Sequence, residues 1–154
     1  MQDITVRTCT RDDLGAVYRV EQTAFGADSY SELVLRQLFD VFRPWFRLAV
    51  AEDGAVVAYT VGGPEAGSAD GWILSLGVHA EHRKRGIGRQ LSQDLLGSFE
   101  AAGIQNVRLT VEPTNHAAIR LYETLGFKTV GLEHDYFGKD HPRNVMMVRL
   151  ARIR

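Results

Sequence analysis

The sequence predicts an α/β protein: one domain over residues 1–154, with a mixed central sheet of six to seven strands and helices on both faces. Three observations carry this. Short apolar or alternating runs recur between stretches whose apolar residues fall at helical spacing. In chain order these segments read β-α-α-β-β-β-α-β-α-β-β. The apolar run Trp72 to Val78 passes through a polar linker into a long amphipathic helix, the kind of junction where open α/β sheets bind ligands.

Ile4, Val6 and Thr8 alternate with polar residues and predict a first strand. Thr10 caps a helix with Asp12 and Asp13 in its first turn, where the dipole favours acids. That helix carries Leu14, Val17, Tyr18, Glu21 and Ala24 on neighbouring positions and ends at Gly26. Glu21 therefore stands at the end of an apolar stripe, as a boundary residue or facing a pocket. After a loop, residues 26–30, a second helix starts at Ser31, carries Leu33, Val34, Leu35, Leu38, Phe39 and Phe42, and stops before Pro44. Phe46 to Ala51 and Val56 to Val61 read as strands joined at Asp53-Gly54, a hairpin signal. Residues 62–71, rich in glycine and small residues, read as a loop before strand 72–78.

The helix that opens at Gly86 shows Ile87, Leu91, Leu95, Leu96 and Phe99 on one face, with Gly103 past its end. Along Asn106 to Glu112, Val107, Leu109 and Val111 alternate with polar partners, which places Thr110 and Glu112 on one strand face. Asn115 caps a short helix, 116–125, with Ala118, Ile119, Tyr122 and Leu125 on one side and Gly126 as its stop. Two strands, about 127–136 and 144–150, close the chain around a polar turn at residues 138–142. The last of them could leave an edge that pairs with a second copy, so both monomer and homodimer are open.

Net charge is −1, so no global field draws the chain to nucleic acid or to an anionic membrane, and neither is expected as a partner. The single cysteine, Cys9, excludes an internal disulfide and a cysteine-rich metal site. No apolar run reaches the ~20 residues that span a bilayer, and the N-terminus lacks the pattern of a signal peptide. A cytoplasmic location is the expectation.

Basic charge concentrates in Arg83-Lys84-Arg85-Gly86-Ile87-Gly88-Arg89, at the start of the long helix. The first N–H groups of a helix lack intrahelical acceptors and carry the positive end of its dipole. Glycines leave that backbone bare. Tight packing with a solvated basic face would explain the same residues, but position just after a strand favours a phosphate or pyrophosphate site.

Two stretches now point to a family. RKRGIG fits the R/Q-x-x-G-x-G/A pyrophosphate loop of the GNAT superfamily of N-acetyltransferases, and NHAAIRLYETLGF, residues 115–127, resembles its second signature, N-x-x-A-x-x-x-Y-x-x-x-G-F. The ending EHDYFGKDHPRNVMMVRL is similar to that of the ribosomal-protein alanine N-acetyltransferase branch. The element order matches the GNAT fold over nearly the whole chain.

The resemblance implies a splayed strand pair, acetyl-CoA as co-substrate and a primary amine as acceptor, with no metal. It puts the pantetheine arm against the backbone of Leu76, Gly77 and Val78, where an N–H would polarise the thioester carbonyl. It puts the pyrophosphate on the N–H groups from Arg85 through Gly86, Ile87 and Gly88 to Arg89, with charge added by Arg83 and Lys84. Asn115 and Ala118 fall in the cofactor-contacting motif, and Tyr122 takes the general-acid position. A phenol with an ordinary pKa near ~10 is protonated at neutral pH and can donate to the leaving thiolate. Periodicity alone equally allows Tyr122 to be a packed core ring.

The base is where the chain departs from that branch. Five positions ahead of the asparagine, where the branch has glutamate, stands Thr110, which cannot serve. Glu112 is the candidate, set against a plain role as a solvated strand-end carboxylate; Glu21, His79, His116 or a water chain are others. For the acceptor, the family's usual loops nominate Phe25, Tyr30, Tyr136 and Phe137, residues that ordinary packing would also explain. The expected activity is acetyl transfer by direct attack of a protein N-terminal α-amine or a small-molecule amine. The alternative is a non-catalytic acyl-CoA-binding regulatory module on the same fold. A nucleotide-binding P-loop is disfavoured, because no Gly-Lys-Ser/Thr step follows the glycines.

Overall fold

A computed structural model of the protein describes residues 3–150. The elements are β1 (Ile4–Thr8), α1 (Leu14–Phe25), α2 (Glu32–Phe42), β2 (Phe46–Ala51), β3 (Val56–Pro64), β4 (Asp70–Val78), α3 (Ile87–Ala101), β5 (Asn106–Val111), α4 (His116–Thr124), β6 (Lys128–Glu133) and β7 (Arg143–Arg149). This is the order read from the sequence. The strands form a seven-stranded mixed sheet ordered β1-β2-β3-β4-β5-β7-β6. β4 and β5 are parallel, in a ladder from Asp70↔Asn106 to Trp72↔Arg108. The chain divides into two compact units: residues up to Gly63 together with Ser75–Leu95, and Pro64–Leu74 together with the chain from Leu96 onward.

In the first unit, β1–β2 and β2–β3 are antiparallel. Pairing of Leu48 with Tyr59 puts both on one face, where Phe46 stacks on Tyr59 and meets Phe39 of α2 edge-on. Alternation sends Ala49 and Ala58 to the other face, against Ile87 and Leu91 of α3. Helices therefore cover both faces here. A 3-10 turn, Arg11–Asp13, leads into α1 and is capped at Thr10. Asp13 Oδ2 accepts the backbone N–H of Thr10 at 2.7 Å, and Arg7 binds the same carboxylate from β1 at 2.8 and 2.9 Å. Leu33, read as part of the apolar side of α2, is 68% exposed; the buried positions of that helix are Leu35 and Phe39.

Residues 62–71 are not one loop. β3 runs on to Pro64 and β4 begins at Asp70, with the Glu65 N–H donating to Asp70 O at 2.8 Å. Gly63 serves close approach inside the strand, not loop flexibility. A Cβ at Gly63 would stand 2.1 Å from Cδ1 of Phe42.

In the second unit, Val107, Leu109 and Val111 of β5 are buried with Met146 of β7. Asp70 receives hydrogen bonds from Asn106 Nδ2, at 3.0 Å, and from Arg108, which fasten the start of β4 to β5. The last strand is not the sheet edge. β7 lies between β5 and β6, pairing Val107↔Val148 on one side and Thr129↔Met146 on the other. Its unbroken Val145-Met146-Met147-Val148 suits an inner strand, whereas every residue of β6, the true edge, is exposed. β6 also stops at Glu133, so Tyr136 lies in the turn, which the Asp140 N–H closes on Asp135 Oδ1 at 3.1 Å. Among the described residues no helix is long and apolar enough to cross a membrane.

Candidate active site

The basic loop keeps the geometry that its sequence suggests. A short turn at residues 80–82 leads out of β4, held by the Glu81 N–H on His79 Nδ1 at 3.2 Å. Lys84 and Gly86 then take left-handed backbone conformations, φ 64° and 76°, and α3 begins at Ile87. Left-handed turns of this kind gather N–H groups into an anion-binding concavity. Lys84, a non-glycine residue at positive φ, costs of order 1 kcal/mol, strain typical of ligand-binding turns. The Gln90 N–H closes the first turn of α3 on Gly86 O at 3.0 Å, while the N–H groups of Ile87, Gly88 and Arg89 precede any intrahelical acceptor. The Ile87 side chain anchors this tip in the core, 5% exposed, and Arg83, Lys84, Arg85 and Arg89 are exposed around it. Arg83 also ties the loop to the end of α1, its Nη2 donating to Ala24 O at 3.3 Å. These features fit a diphosphate.

On β4, Leu76 and Val78 pack toward the α3 side, with Ile87 and Leu91. Gly77 faces the opposite way, against Tyr59; a Cβ there would meet the ring Cε1 at 3.0 Å. Beside it lies a buried polar cluster. The Tyr59 hydroxyl donates to Glu21 Oε1 in a short hydrogen bond and lies 2.8 Å from Ser75 Oγ. Glu21 Oε2 accepts the Tyr30 N–H at 2.8 Å. Burial holds the Glu21 carboxyl above the ordinary carboxylate range, against the pull of these two hydrogen bonds, and drives the Tyr59 phenol well above its usual value. Phe25, the last residue of α1, is 37% exposed, and Tyr30 is half-buried, so the loop between α1 and α2 presents aromatic surface.

In the second unit, Asn115 caps α4, its Oδ1 accepting the Ala118 N–H at 3.2 Å. Tyr122 is 7% exposed, with its ring edge-on to Phe127 at 5.6 Å, and burial raises its phenol pKa. Such a hydroxyl stays protonated at any physiological pH. Glu112 is not on a strand face beside Thr110. β5 ends at Val111, paired with Asn144; Pro113 cannot extend the ladder, and the Asn115 N–H turns the chain back onto Glu112 O at 2.9 Å. The carboxylate of Glu112 is exposed beyond the sheet. Tyr136 and Phe137 form an edge-on pair at 4.7 Å, and the Arg143 guanidinium covers the Phe137 ring at 5.0 Å. Burial, with a contribution from Glu133, raises the Tyr136 pKa.

Residues 15–127 match the model of the Acetyltransferase (GNAT) family. The chain belongs to that family. It is an acetyl-transferring enzyme, similar over 133 residues, at 26% identity, to the ribosomal protein bS18 alanine N-acetyltransferase of Escherichia coli, with 86% of each chain covered. Among solved structures it superposes on Ard1 from Thermoplasma volcanium with a TM-score of 0.88 and 25% identity, covering 97% of this chain and 99% of the other. A phosphinothricin acetyltransferase from Sinorhizobium meliloti, solved in complex with acetyl-CoA, shares the fold with a TM-score of 0.81 at 21% identity, covering 96% of this chain and 89% of the other.

For this GNAT enzyme, sequence reasoning missed Tyr59 and Ser75. Tyr59 is one more apolar position in the run Val56 to Val61, and nothing local shows that its hydroxyl meets a carboxylate 38 residues away. The available signal was Glu21 itself, a carboxylate at the end of an apolar stripe.

Proposed function

We propose that the protein transfers an acetyl group from acetyl-CoA to a primary amine by direct attack, and that the acceptor is a protein N-terminal α-amine in preference to a small-molecule amine. The observation that carries this reading is the left-handed loop Lys84–Gly86 at the N-terminus of α3, a diphosphate cradle in a chain that also bears the Asn115–Tyr122 motif. The similarity to a bS18-alanine N-acetyltransferase over most of both chains supports the α-amine.

The roles follow from the chemistry. N–H groups of Gly86, Ile87, Gly88 and Arg89 hold the diphosphate, with Arg83, Lys84 and Arg85 adding charge. The backbone of Leu76, Gly77 and Val78 aligns the pantetheine arm and polarises the thioester carbonyl. The neutral amine forms the new C–N bond as the C–S bond breaks. Its proton passes to a base, for which Glu112 acting through water is the candidate, and Tyr122 gives its proton to the departing thiolate. Asn115 and Ala118 shape the cofactor side of α4. Phe25, Tyr30, Tyr136 and Phe137 are the acceptor-side residues. A cytoplasmic setting belongs to the same proposal, consistent with Cys9 as a structural thiol, 4% exposed and pushed up to about 12 by burial.

The test measures thiol release from acetyl-CoA with a panel of peptides that begin with Ala, Ser, Gly and Met, and with small primary amines. Release with peptides at lower concentration than with small amines is expected. No release with any acceptor, although coenzyme A raises the melting temperature, would leave binding without the proposed reaction. For the base, Glu112→Gln is expected to lower kcat by about 10²-fold; unchanged turnover removes Glu112 from that role.

A further inference from the structure

We infer that Glu21 is a positioning residue for the acceptor: its buried carboxylate fastens the loop bearing Tyr30 to Tyr59 and Ser75 of the sheet. The inference rests on the proposed function, which puts Phe25 and Tyr30 on the acceptor side.

Glu21 is 2% exposed on a helix stripe otherwise made of Val17 and Val20. Packing alone would be met by an aliphatic side chain, and burying a carboxylate is costly unless hydrogen bonds satisfy it. Here both oxygens are engaged, Oε2 by the Tyr30 N–H at 2.8 Å and Oε1 by the Tyr59 hydroxyl. The Glu21 carbonyl accepts from Ser29 Oγ at 3.2 Å, and the same hydroxyl reaches Gly26 O at 2.6 Å. The loop from Gly26 to Tyr30 is thus stitched to α1 at both its backbone and its side chains. Through Tyr59 the carboxylate also reaches Ser75 Oγ, and the Tyr59 ring lies against Gly77, so the loop is referenced to the β4 segment assigned to the thioester. The carboxylate is tied into the fold through both of its oxygens. Its geometry is that of a clamp. The clamp sets where Phe25 and Tyr30 stand without touching the acceptor.

The experiment compares wild type with Glu21→Ala and Glu21→Gln. Glutamine keeps an oxygen for the Tyr30 N–H and offers an N–H to the Tyr59 oxygen, which can turn its own hydrogen toward Ser75. It preserves the clamp and abolishes any base. Steady-state kinetics use the best peptide of the panel and, separately, acetyl-CoA, with amide hydrogen exchange at residues 26–30 as a second readout. Glu21→Ala is expected to raise the peptide KM at least tenfold, to leave the acetyl-CoA KM within twofold, and to speed Tyr30 amide exchange. Glu21→Gln should lie within threefold of wild type in all three. A more than tenfold loss of kcat in Glu21→Gln at unchanged peptide KM would make Glu21 a proton acceptor and overturn the inference. So would an unchanged peptide KM in Glu21→Ala, or an equal rise in both KM values. If Glu21→Ala does not fold, Tyr59→Phe replaces it; faster exchange at Tyr30 and a raised peptide KM support the clamp, and neither change overturns it. Wild type that acetylates no acceptor sinks the function reading and this inference with it; active wild type with an indifferent Glu21→Ala sinks the inference alone.

Discussion

The ring of Tyr122 meets the ring of Phe127 edge to face, with centroids 5.6 Å apart. That contact holds the α4 tyrosine by its ring, so its hydroxyl can be removed without disturbing what packs it. Tyr122→Phe is expected to keep stability within about 1 kcal/mol, the scale of one lost hydrogen bond. Turnover should fall by roughly 10²-fold or more, the usual contribution of a general acid, while coenzyme A affinity stays unchanged. Thiol-release kinetics and a coenzyme A melting-shift titration read the two effects apart. Parallel loss of turnover and of coenzyme A affinity would make the tyrosine structural.

A second prediction concerns the turn that opens α3. Gly86 has φ 76°, and a Cβ there would meet no atom within 4 Å. Any effect of Gly86→Ala is therefore backbone strain, worth about 1–2 kcal/mol for a residue forced into left-handed geometry. We expect that loss in chemical denaturation, and a several-fold weaker coenzyme A interaction because the N–H groups tilt away from the diphosphate. Lys84→Gly tests the same loop in reverse: strain is relieved and the charge removed, so stability holds or rises while coenzyme A binding becomes less sensitive to salt.

The junction before α3 and the Asn115 cap of α4 were legible in the sequence because each is local. A strand, two glycines and a helix lie within one stretch, and Asn115 caps a helix that starts at the next residue. What was not legible depends on contacts between distant segments. Glu21 shows that a carboxylate occupies an apolar stripe, but its partners come from the following loop and from β3. Likewise the small residues after Val61 look like a loop until the Phe42 ring is seen to need the space at Gly63. The edge of the sheet is hidden from the sequence for a similar reason. Both final strands carry apolar residues, and only the pairing of β7 with β5 tells which of them is inner.

Acid should weaken the join between β1 and α1. The Arg7 guanidinium, aided by the Thr10 N–H and hydroxyl, holds the Asp13 carboxyl well below the ordinary carboxylate range. A depressed folded pKa means that the carboxylate stabilises the fold above the unfolded value, 3.8, and that this contribution is lost as pH falls below it. Asp13→Asn should therefore be less stable than wild type at neutral pH, by about 1 kcal/mol given the partial exposure of Arg7. The two proteins should converge as pH drops from about 4 toward 2. Urea melts across that range check it, and a gap that widens in acid would reverse the sign.

The last prediction tests close approach inside β3. A methyl group at Gly63 would fall 2.1 Å from Cδ1 and 2.4 Å from Cε1 of the Phe42 ring, far inside contact distance. Phe42 is half-buried at the end of α2, so its ring can move only by leaving the packing between helix and strand. Gly63→Ala is expected to cost about 1–3 kcal/mol, the range for overpacking a filled site. Phe42→Ala alone should also destabilise, by deleting ring contacts. Because the two side chains would compete for one space, the double variant should be less unstable than the sum of the single losses, by at least about 1 kcal/mol. Denaturant melts of the four proteins measure that coupling, and strict additivity would mean that the strand, not the ring, gives way.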